Sequence, residues 1–306
     1  MRVIEVEQLR KEYRSLTGRK TVAVAGLDLS VPEGGVFGFL GPNGSGKTTT
    51  IRCLLGLVRP SAGRSRVLGA DSQRHLGSVI SRVGAIVETP AFYPNCSGRR
   101  NLGFLASLRG ISDERVDAVL ERVGLGDRGR DPFRAYSLGM KQRLGLAAAL
   151  LQDPDVLLLD EPANGLDPAG IVEIRELIRS LGEEGRTVFV SSHLLGEVQQ
   201  MCDRVAILNH GQCIAQGTVD EVLASGGAAQ LVVRVDEPER AREVLERAGI
   251  PATPEQEHLV VDLSGTDGAR VSRALAEAGL YPHELSPRQV DLETVFLRLT
   301  EGDTSG

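Results

Sequence analysis

Apolar and polar residues alternate along residues 3–9 and again along residues 22–31, which predicts two strands of an antiparallel β flank. Short apolar runs predict further strands, at residues 35–40, 67–68, 83–87, 155–160, 187–191 and 205–208. Helical spacing predicts helices between these runs, at residues 101–108, 113–123, 137–151 and 168–181. Strands that alternate with helices predict an α/β domain with a mostly parallel sheet, and the helices within 101–123 predict a helical subdomain.

A stretch of small residues at 225–229, Ser-Gly-Gly-Ala-Ala, is typical of a linker. Beyond it, the pattern predicts strands at 231–235, 258–263 and 281–285, and helices at 238–248, 268–278 and 292–299. With 306 residues, the chain is long enough for two domains. We therefore expect a first domain over residues 1–224 and a small C-terminal α+β domain, accessory or regulatory, over residues 230–306.

The composition argues against several classes of protein. The net charge is −6, and no stretch is dense in Lys or Arg, so we expect no nucleic-acid partner. The four cysteines have neither a close pair nor metal-ligand spacing. Residues 1–13 are too charged for a signal peptide, and the apolar runs are far shorter than the roughly 20 residues of a membrane-spanning helix. We expect a cytoplasmic protein that does not cross a membrane alone.

One loop carries the strongest chemical signal. Residues 41–48 match the phosphate-binding pattern Gly-x-x-x-x-Gly-Lys-Ser/Thr between a predicted strand and a predicted helix. Its glycines allow backbone N–H groups to surround an anion at a helix N-terminus. The predicted nucleotide-binding residues are Gly41, Pro42, Asn43, Gly44, Ser45, Gly46, Lys47, Thr48 and Thr49. Lys47 is expected to reach the β- and γ-phosphates and Thr48 to hold Mg²⁺; the alternative is a glycine-rich turn with a chance lysine.

Three further groups of residues narrow the chemistry. A buried strand ends in Asp160 and Glu161, the first suited to hold Mg²⁺ and the second to orient and deprotonate a water. Ser137 is placed to cap a helix whose N–H groups point outward and suit a phosphate. His193 follows an apolar strand, which places it at the carboxyl edge of a parallel sheet, where ligands bind; the alternative is a histidine packed in the core.

With these residues in this order across residues 36–193, the chain resembles the ATP-binding subunit of an ATP-binding cassette (ABC) transporter, a P-loop NTPase. In that family the elements are the Walker A loop, the signature helix, Walker B, the D-loop at residues 163–167 and the switch histidine. The resemblance implies that His193 senses the γ-phosphate. It also places Tyr13 against adenine, although an exposed tyrosine at a strand end is the alternative.

Two positions depart from the commonest family pattern. The signature reads Tyr-Ser-Leu-Gly-Met-Lys-Gln where many members have Leu-Ser-Gly-Gly-Gln, yet Ser137 and Gly139 keep the hydroxyl and the close backbone approach. Glu88 stands where most members carry the glutamine of the Q-loop. It is expected to act at the catalytic site and to bind Mg²⁺; the alternative is a solvated loop residue. The segment is similar to the bacitracin and lantibiotic self-protection branch of the family.

The resemblance also implies partners. Two copies are expected to enclose two ATP molecules head to tail, each site pairing the phosphate loop of one copy with Ser137 and Gly139 of the other. Closure is expected to drive a separate membrane permease, the expected cargoes being antibiotics, drugs or other hydrophobic or peptide compounds. Phe92, Tyr93 and Phe104 are candidates for its docking groove, or else belong to the core. The rival functions are a cassette ATPase acting on ribosomes or DNA and a regulatory ATP binder.

Overall fold

The computed structural model describes residues 1–14, 18–87, 91–225, 230–255, 258–263, 266–288 and 291–301. The chain divides into two compact units, Met1–Val219 and Asp220–Gly306. The division therefore lies five residues before the predicted domain end at 224. The predicted linker lies outside the described residues except for Ser225, which ends a helix.

The first unit contains two sheets and six α-helices among its described residues. The strands are β1 (Arg2–Arg14), β2 (Lys20–Pro32), β3 (Gly35–Leu40), β4 (Ala62–Val67), β5 (Ala70–Asp71), β6 (Val83–Ile86), β7 (Val156–Asp160), β8 (Thr187–Ser192), β9 (Arg204–Asn209) and β10 (Gln212–Thr218). The helices are α1 (Lys47–Leu54), α2 (Gly98–Ser107), α3 (Asp113–Arg122), α4 (Leu138–Leu150), α5 (Pro168–Glu183) and α6 (Leu195–Met201).

The larger sheet has the order β10-β9-β3-β8-β7-β6, and all its pairs are parallel except β9 with β10. The smaller sheet, β2-β1-β4-β5, is antiparallel. The predicted fold class is therefore confirmed: an α/β domain with a mostly parallel sheet and an antiparallel flank. Every residue of β7 and β8 is buried, which explains the apolar runs at residues 156–159 and 188–190.

Three aromatic rings pack in the core between strands. Phe189 on β8 stacks on Phe37 with ring centroids 5.7 Å apart, and it lies 5.0 Å from Phe39. The register of β3 with β8 pairs Leu40 with Ser192, and that of β7 with β8 pairs Asp160 with Ser191. The carboxyl ends of β3, β7 and β8 therefore meet at one edge of the sheet.

The helical subdomain consists of α2 and α3, joined by the ion pair of Arg99 and Asp117 at 2.6 Å. Ser97 caps α2 by accepting the N–H of Arg100. Ser112 is the N-cap residue of α3, but its hydroxyl makes no capping bond to that helix. A hydrogen bond from Ser112 instead lowers the pKa of Glu114, so the hydroxyl bonds to this carboxylate rather than to the helix backbone.

The second unit begins with α7 (Val219–Ser225), whose first residue belongs to the other unit. It continues through β11 (Gln230–Arg234), α8 (Pro238–Arg247), β12 (Ala252–Glu255), β13 (His258–Asp262), α9 (Gly268–Glu277), β14 (Glu284–Arg288) and α10 (Leu292–Glu301). The strands form an antiparallel sheet in the order β12-β13-β11-β14.

Strand β12 is absent from the sequence predictions, because Ala-Thr-Pro-Glu carries no apolar alternation and includes a proline. Proline is tolerated there since β12 is an edge strand. Pro287 lies on β14, the opposite edge. A proline on each edge disfavours pairing with a further strand.

Among the described residues, no helix combines the length and the apolar character that crossing a membrane demands.

Candidate functional site

The phosphate loop connects β3 to α1 and is shaped by its glycines. Gly41, Gly44 and Gly46 all have positive φ angles, of 154°, 83° and 104°. A Cβ atom on Gly46 would lie 2.4 Å from the carbonyl oxygen of Ala23, and one on Gly41 would lie 2.4 Å from that of Leu208. The loop therefore requires glycine both for its backbone angles and for its close contact with neighbouring strands.

The side chains of the loop suit an anion. Lys47 is 5% exposed, and its Nζ donates to the carbonyl oxygens of Gly41 at 2.7 Å and Pro42 at 3.2 Å. The hydroxyl of Ser45 is buried without a hydrogen-bond partner among the described residues. A buried ammonium and an orphaned hydroxyl beside a helix N-terminus fit a phosphate group, which would satisfy both.

The two acids that end β7 have different surroundings. The Asp160 side chain is 8% exposed, and its Oδ1 accepts a hydrogen bond from the Ser191 hydroxyl at 2.5 Å. Glu161 has a φ angle of 47°, which is unusual for a residue with a side chain. Its carboxylate lies between two nitrogens: Oε1 is 3.3 Å from Lys47 Nζ, and Oε2 is 2.8 Å from His193 Nδ1.

Lys47, Glu161 and His193 border a cavity of about 430 Å³. Its lining comprises Thr21, Val22, Ala23, Asn43, Gly44, Gly46, Lys47, Thr48, Thr49, Glu161, Asn164 and His193. The structure thus brings the phosphate loop, the second acid and the switch histidine together. Asp160 is not in the lining, but its neighbour Glu161 is. Among the described residues, no three side chains of His, Cys, Asp or Glu form a ready-made metal cluster. The expected roles of Thr48 and Asp160 as Mg²⁺ ligands stay predictions.

Sequence reasoning missed four residues of this cavity. Thr21, Val22 and Ala23 belong to β2, and their position depends on how the antiparallel flank packs beside the loop. The only available signal for Asn164 was its place in the D-loop. Tyr13 is not in the lining, but it pairs with Thr21 across β1 and β2, and Lys11 Nζ lies 4.9 Å from its ring centroid. The adenine role of Tyr13 stays a prediction.

Ser137 and Gly139 lie elsewhere in the same chain. They border a separate cavity of about 500 Å³, which shares no lining residue with the first. Ser137 caps α4 by accepting the N–H of Met140 at 3.3 Å, as the sequence predicts. The D-loop residues Gly165 and Leu166 line this second cavity as well. Within the described residues, the signature helix and the phosphate loop therefore line different cavities.

The remaining candidates are Glu88 and three aromatic residues. Glu88 falls outside the described residues, so its expected catalytic and metal-binding roles stay predictions. Phe92 packs edge-on against Phe133 with centroids 5.2 Å apart. Tyr93 is 67% exposed and Phe104 is 38% exposed, and their rings meet edge-on at 5.7 Å. Phe92 thus contacts the buried ring of Phe133, whereas Tyr93 and Phe104 form an exposed pair.

The fold and the site define a P-loop nucleotide hydrolase. Residues 24–164 match the family model described as ABC transporter, and residues 229–293 match one described as a domain of unknown function (DUF8746). The structure is similar to that of cbiO1 from Clostridium perfringens, part of the ABC transporter complex cbiONQ. The TM-score is 0.65 at 30% identity, covering 80% of this chain and 95% of that one.

Two relatives match over nearly the whole chain. The bacitracin transport ATP-binding protein BcrA of Enterococcus faecalis is 38% identical, covering 98% of this chain and 97% of the relative. The daunorubicin resistance ATP-binding protein DrrA3 of Streptomyces coeruleorubidus is 39% identical, covering 92% of each. The chain belongs to the family of ABC transporter ATP-binding proteins, and it is an ATPase that binds ATP.

Replacing Gly46 by alanine is expected to weaken ATP binding at least about tenfold, equivalent to about 1.4 kcal/mol, because the new Cβ would displace the phosphate loop from Ala23. Titration with a fluorescent ATP analogue measures the change. Gly69→Ala is the control, since Gly69 has a φ angle of 78° but no atom within 4 Å of the added Cβ. Equal affinities for the two variants would show that close packing does not shape the loop.

Proposed function

We propose that this chain hydrolyses ATP in the cavity around Lys47 and Glu161, and that the reaction drives export by a separate membrane subunit. The observation that carries the site assignment is the convergence of Lys47 Nζ and His193 Nδ1 on the Glu161 carboxylate. A carboxylate beside a phosphate-binding loop and an imidazole is suited to orient a water and accept its proton.

Each residue has a distinct part in this mechanism. Lys47 exchanges its carbonyl partners for the β- and γ-phosphates and so neutralises charge there. Glu161, no longer paired with Lys47, receives the proton of the attacking water. His193 holds the carboxylate through Nδ1 and contacts the γ-phosphate side of the cavity. Mg²⁺, when bound by the hydroxyl of Thr48 and the Asp160 carboxylate, supplies further charge neutralisation; Glu88 is the third proposed ligand.

The substitution Glu161→Gln is expected to lower kcat at least about 100-fold without weakening ATP binding, because the amide keeps the shape but cannot accept the proton. Phosphate release and equilibrium ATP binding measure the two effects. Glu183→Gln, at an exposed position of α5, is the control. Normal hydrolysis by the Glu161 variant would show that another group is the base.

The separation of the two cavities supports a composite site. Ser137 and Gly139 present a capped helix N-terminus on one cavity, and the phosphate loop borders the other. Two chains arranged head to tail would place the helix of each against the phosphate loop of its partner. The homodimer therefore completes each site, and ATP is the ligand that joins the two copies.

The substitution Ser137→Arg is expected to abolish ATP-dependent dimerisation, because the bulky side chain would occupy the surface that must approach the partner. Sedimentation velocity of the variant in the Glu161→Gln background, with ATP, tests this. Ser107→Arg, at an exposed end of α2, is the control. If the Ser137→Arg variant dimerises as readily as the control, the shared site is refuted.

The proposed partner is an integral-membrane permease that docks on the exposed pair Tyr93 and Phe104. These rings lie on the helical subdomain and its preceding loop, where an apolar helix from the permease has aromatic surface to contact. The chain would then be cytoplasmic and peripheral on the inner face of the membrane. The 38% and 39% identity to ATP-binding proteins of bacitracin transport and daunorubicin resistance supports export of an antibiotic or drug. The C-terminal unit is assigned an accessory or regulatory role.

The ATPase activity of the chain reconstituted with its permease is expected to rise severalfold with a transported antibiotic, bacitracin and daunorubicin being the first probes. Tyr93→Asp places a charge on the docking surface. It should therefore remove this stimulation and prevent co-purification of the chain with its permease, while basal ATP binding is kept. Tyr281→Asp, at a residue 74% exposed in the C-terminal unit, is the control. Stimulation by ribosomes or DNA instead of by the permease would favour the rival function.

A further inference from the structure

Ser191 lies near the carboxyl end of β8, next to the two acids that end β7. It lies on β8, in register with Asp160 on β7 and Phe39 on β3, and its side chain is fully buried. Its hydroxyl donates to Asp160 Oδ1 at 2.5 Å and accepts the backbone N–H of Glu161 at 3.0 Å. A single hydroxyl therefore contacts both acids at the end of β7.

The contact with Glu161 holds a strained turn. With a φ angle of 47°, Glu161 adopts the left-handed region, which is unfavourable for a residue with a Cβ atom. Its N–H is shared between the hydroxyl of Ser191 and the carbonyl oxygen of Ser191 at 3.2 Å. This turn aims the Glu161 side chain at Lys47 and His193 rather than along the strand.

The contact with Asp160 is equally specific. A hydrogen bond from a hydroxyl to an ionised carboxylate is short and strong, and it restricts rotation of the carboxylate. Asp160 is buried, so an unpaired oxygen there would be costly. The hydroxyl thus fixes the orientation of the carboxylate that is proposed to hold Mg²⁺.

We propose that Ser191 is a positioning residue that sets the Asp160 carboxylate and the Glu161 backbone together, so that metal binding and water activation depend on one hydroxyl. The inference rests on the proposed roles of these two acids. It predicts that loss of the hydroxyl weakens two separable properties: the gain in nucleotide affinity produced by Mg²⁺, and kcat.

The test compares Ser191→Thr with Ser191→Val, which have nearly the same shape and differ in the hydroxyl. Any disturbance from the added bulk beside Phe39 is shared by both variants, so their difference reports the hydrogen bonds. Ser192→Ala is the neighbouring control, because the Ser192 hydroxyl accepts the N–H of Leu194 in the turn before α6 and contacts neither acid in the described structure.

Two measurements are made on each full-length variant: the affinity for a fluorescent ATP analogue in Mg²⁺ and in EDTA, and kcat. The first quantity compared is the affinity in Mg²⁺ divided by the affinity in EDTA. Relative to Ser191→Thr, we expect this ratio to be at least fivefold lower and kcat at least tenfold lower for Ser191→Val. The affinities of the two variants in EDTA should be equal. Ser192→Ala should match the unmodified chain in both.

If the Thr and Val variants gain the same nucleotide affinity from Mg²⁺ and have the same kcat, the proposal is overturned. A loss of affinity in EDTA by the Val variant alone would also overturn it, since the hydroxyl would then support the fold rather than the metal site. If Glu161→Gln hydrolyses ATP normally, the assignment of the acids fails. If Glu161→Gln is inactive and the Thr and Val variants are alike, only the role of Ser191 fails.

Discussion

The carboxylate of Glu161, held between the Lys47 ammonium and the His193 imidazole, is the interaction on which the site depends. These residues come from distant segments of the chain, since Lys47 begins α1 and His193 follows β8. They meet because β3, β7 and β8 are adjacent and parallel, so their carboxyl ends reach the same edge of the sheet. The parallel sheet therefore acts as the scaffold that converts three distant segments into one site.

Placing two acids at this edge has an electrostatic cost, and the structure offsets it. Asp160 is buried and takes a hydrogen bond from Ser191, while Glu161 turns away through an unusual backbone angle and pairs with Lys47. Lys47, itself buried, would be costly without that carboxylate and the carbonyl oxygens around it. Lys47 and Glu161 thus offset each other's charge at this edge of the sheet.

The phosphate loop and the signature helix line different cavities of the chain, which supports the proposed assembly of two copies. The signature helix is capped by Ser137 and borders a different cavity from the phosphate loop. If the phosphate loop of one copy and the signature helix of another form one site, nucleotide binding is coupled to the approach of the two copies. In the proposed mechanism, that approach is the movement transmitted to the permease.

Features that depend on local spacing could be predicted from the amino-acid sequence alone. The phosphate loop, the acids that end β7, the cap at Ser137 and the alternation of strands and helices are each written within a few neighbouring residues, because turn geometry, capping and burial leave local patterns. Contacts between distant residues became visible only in the folded chain. Thr21, Val22 and Ala23 enter the cavity through the packing of an antiparallel strand. Ser191 reaches both acids through the register of β7 with β8, and β12 pairs at an edge despite its proline. Strand register and packing depend on the whole core, so no short stretch of sequence encodes them.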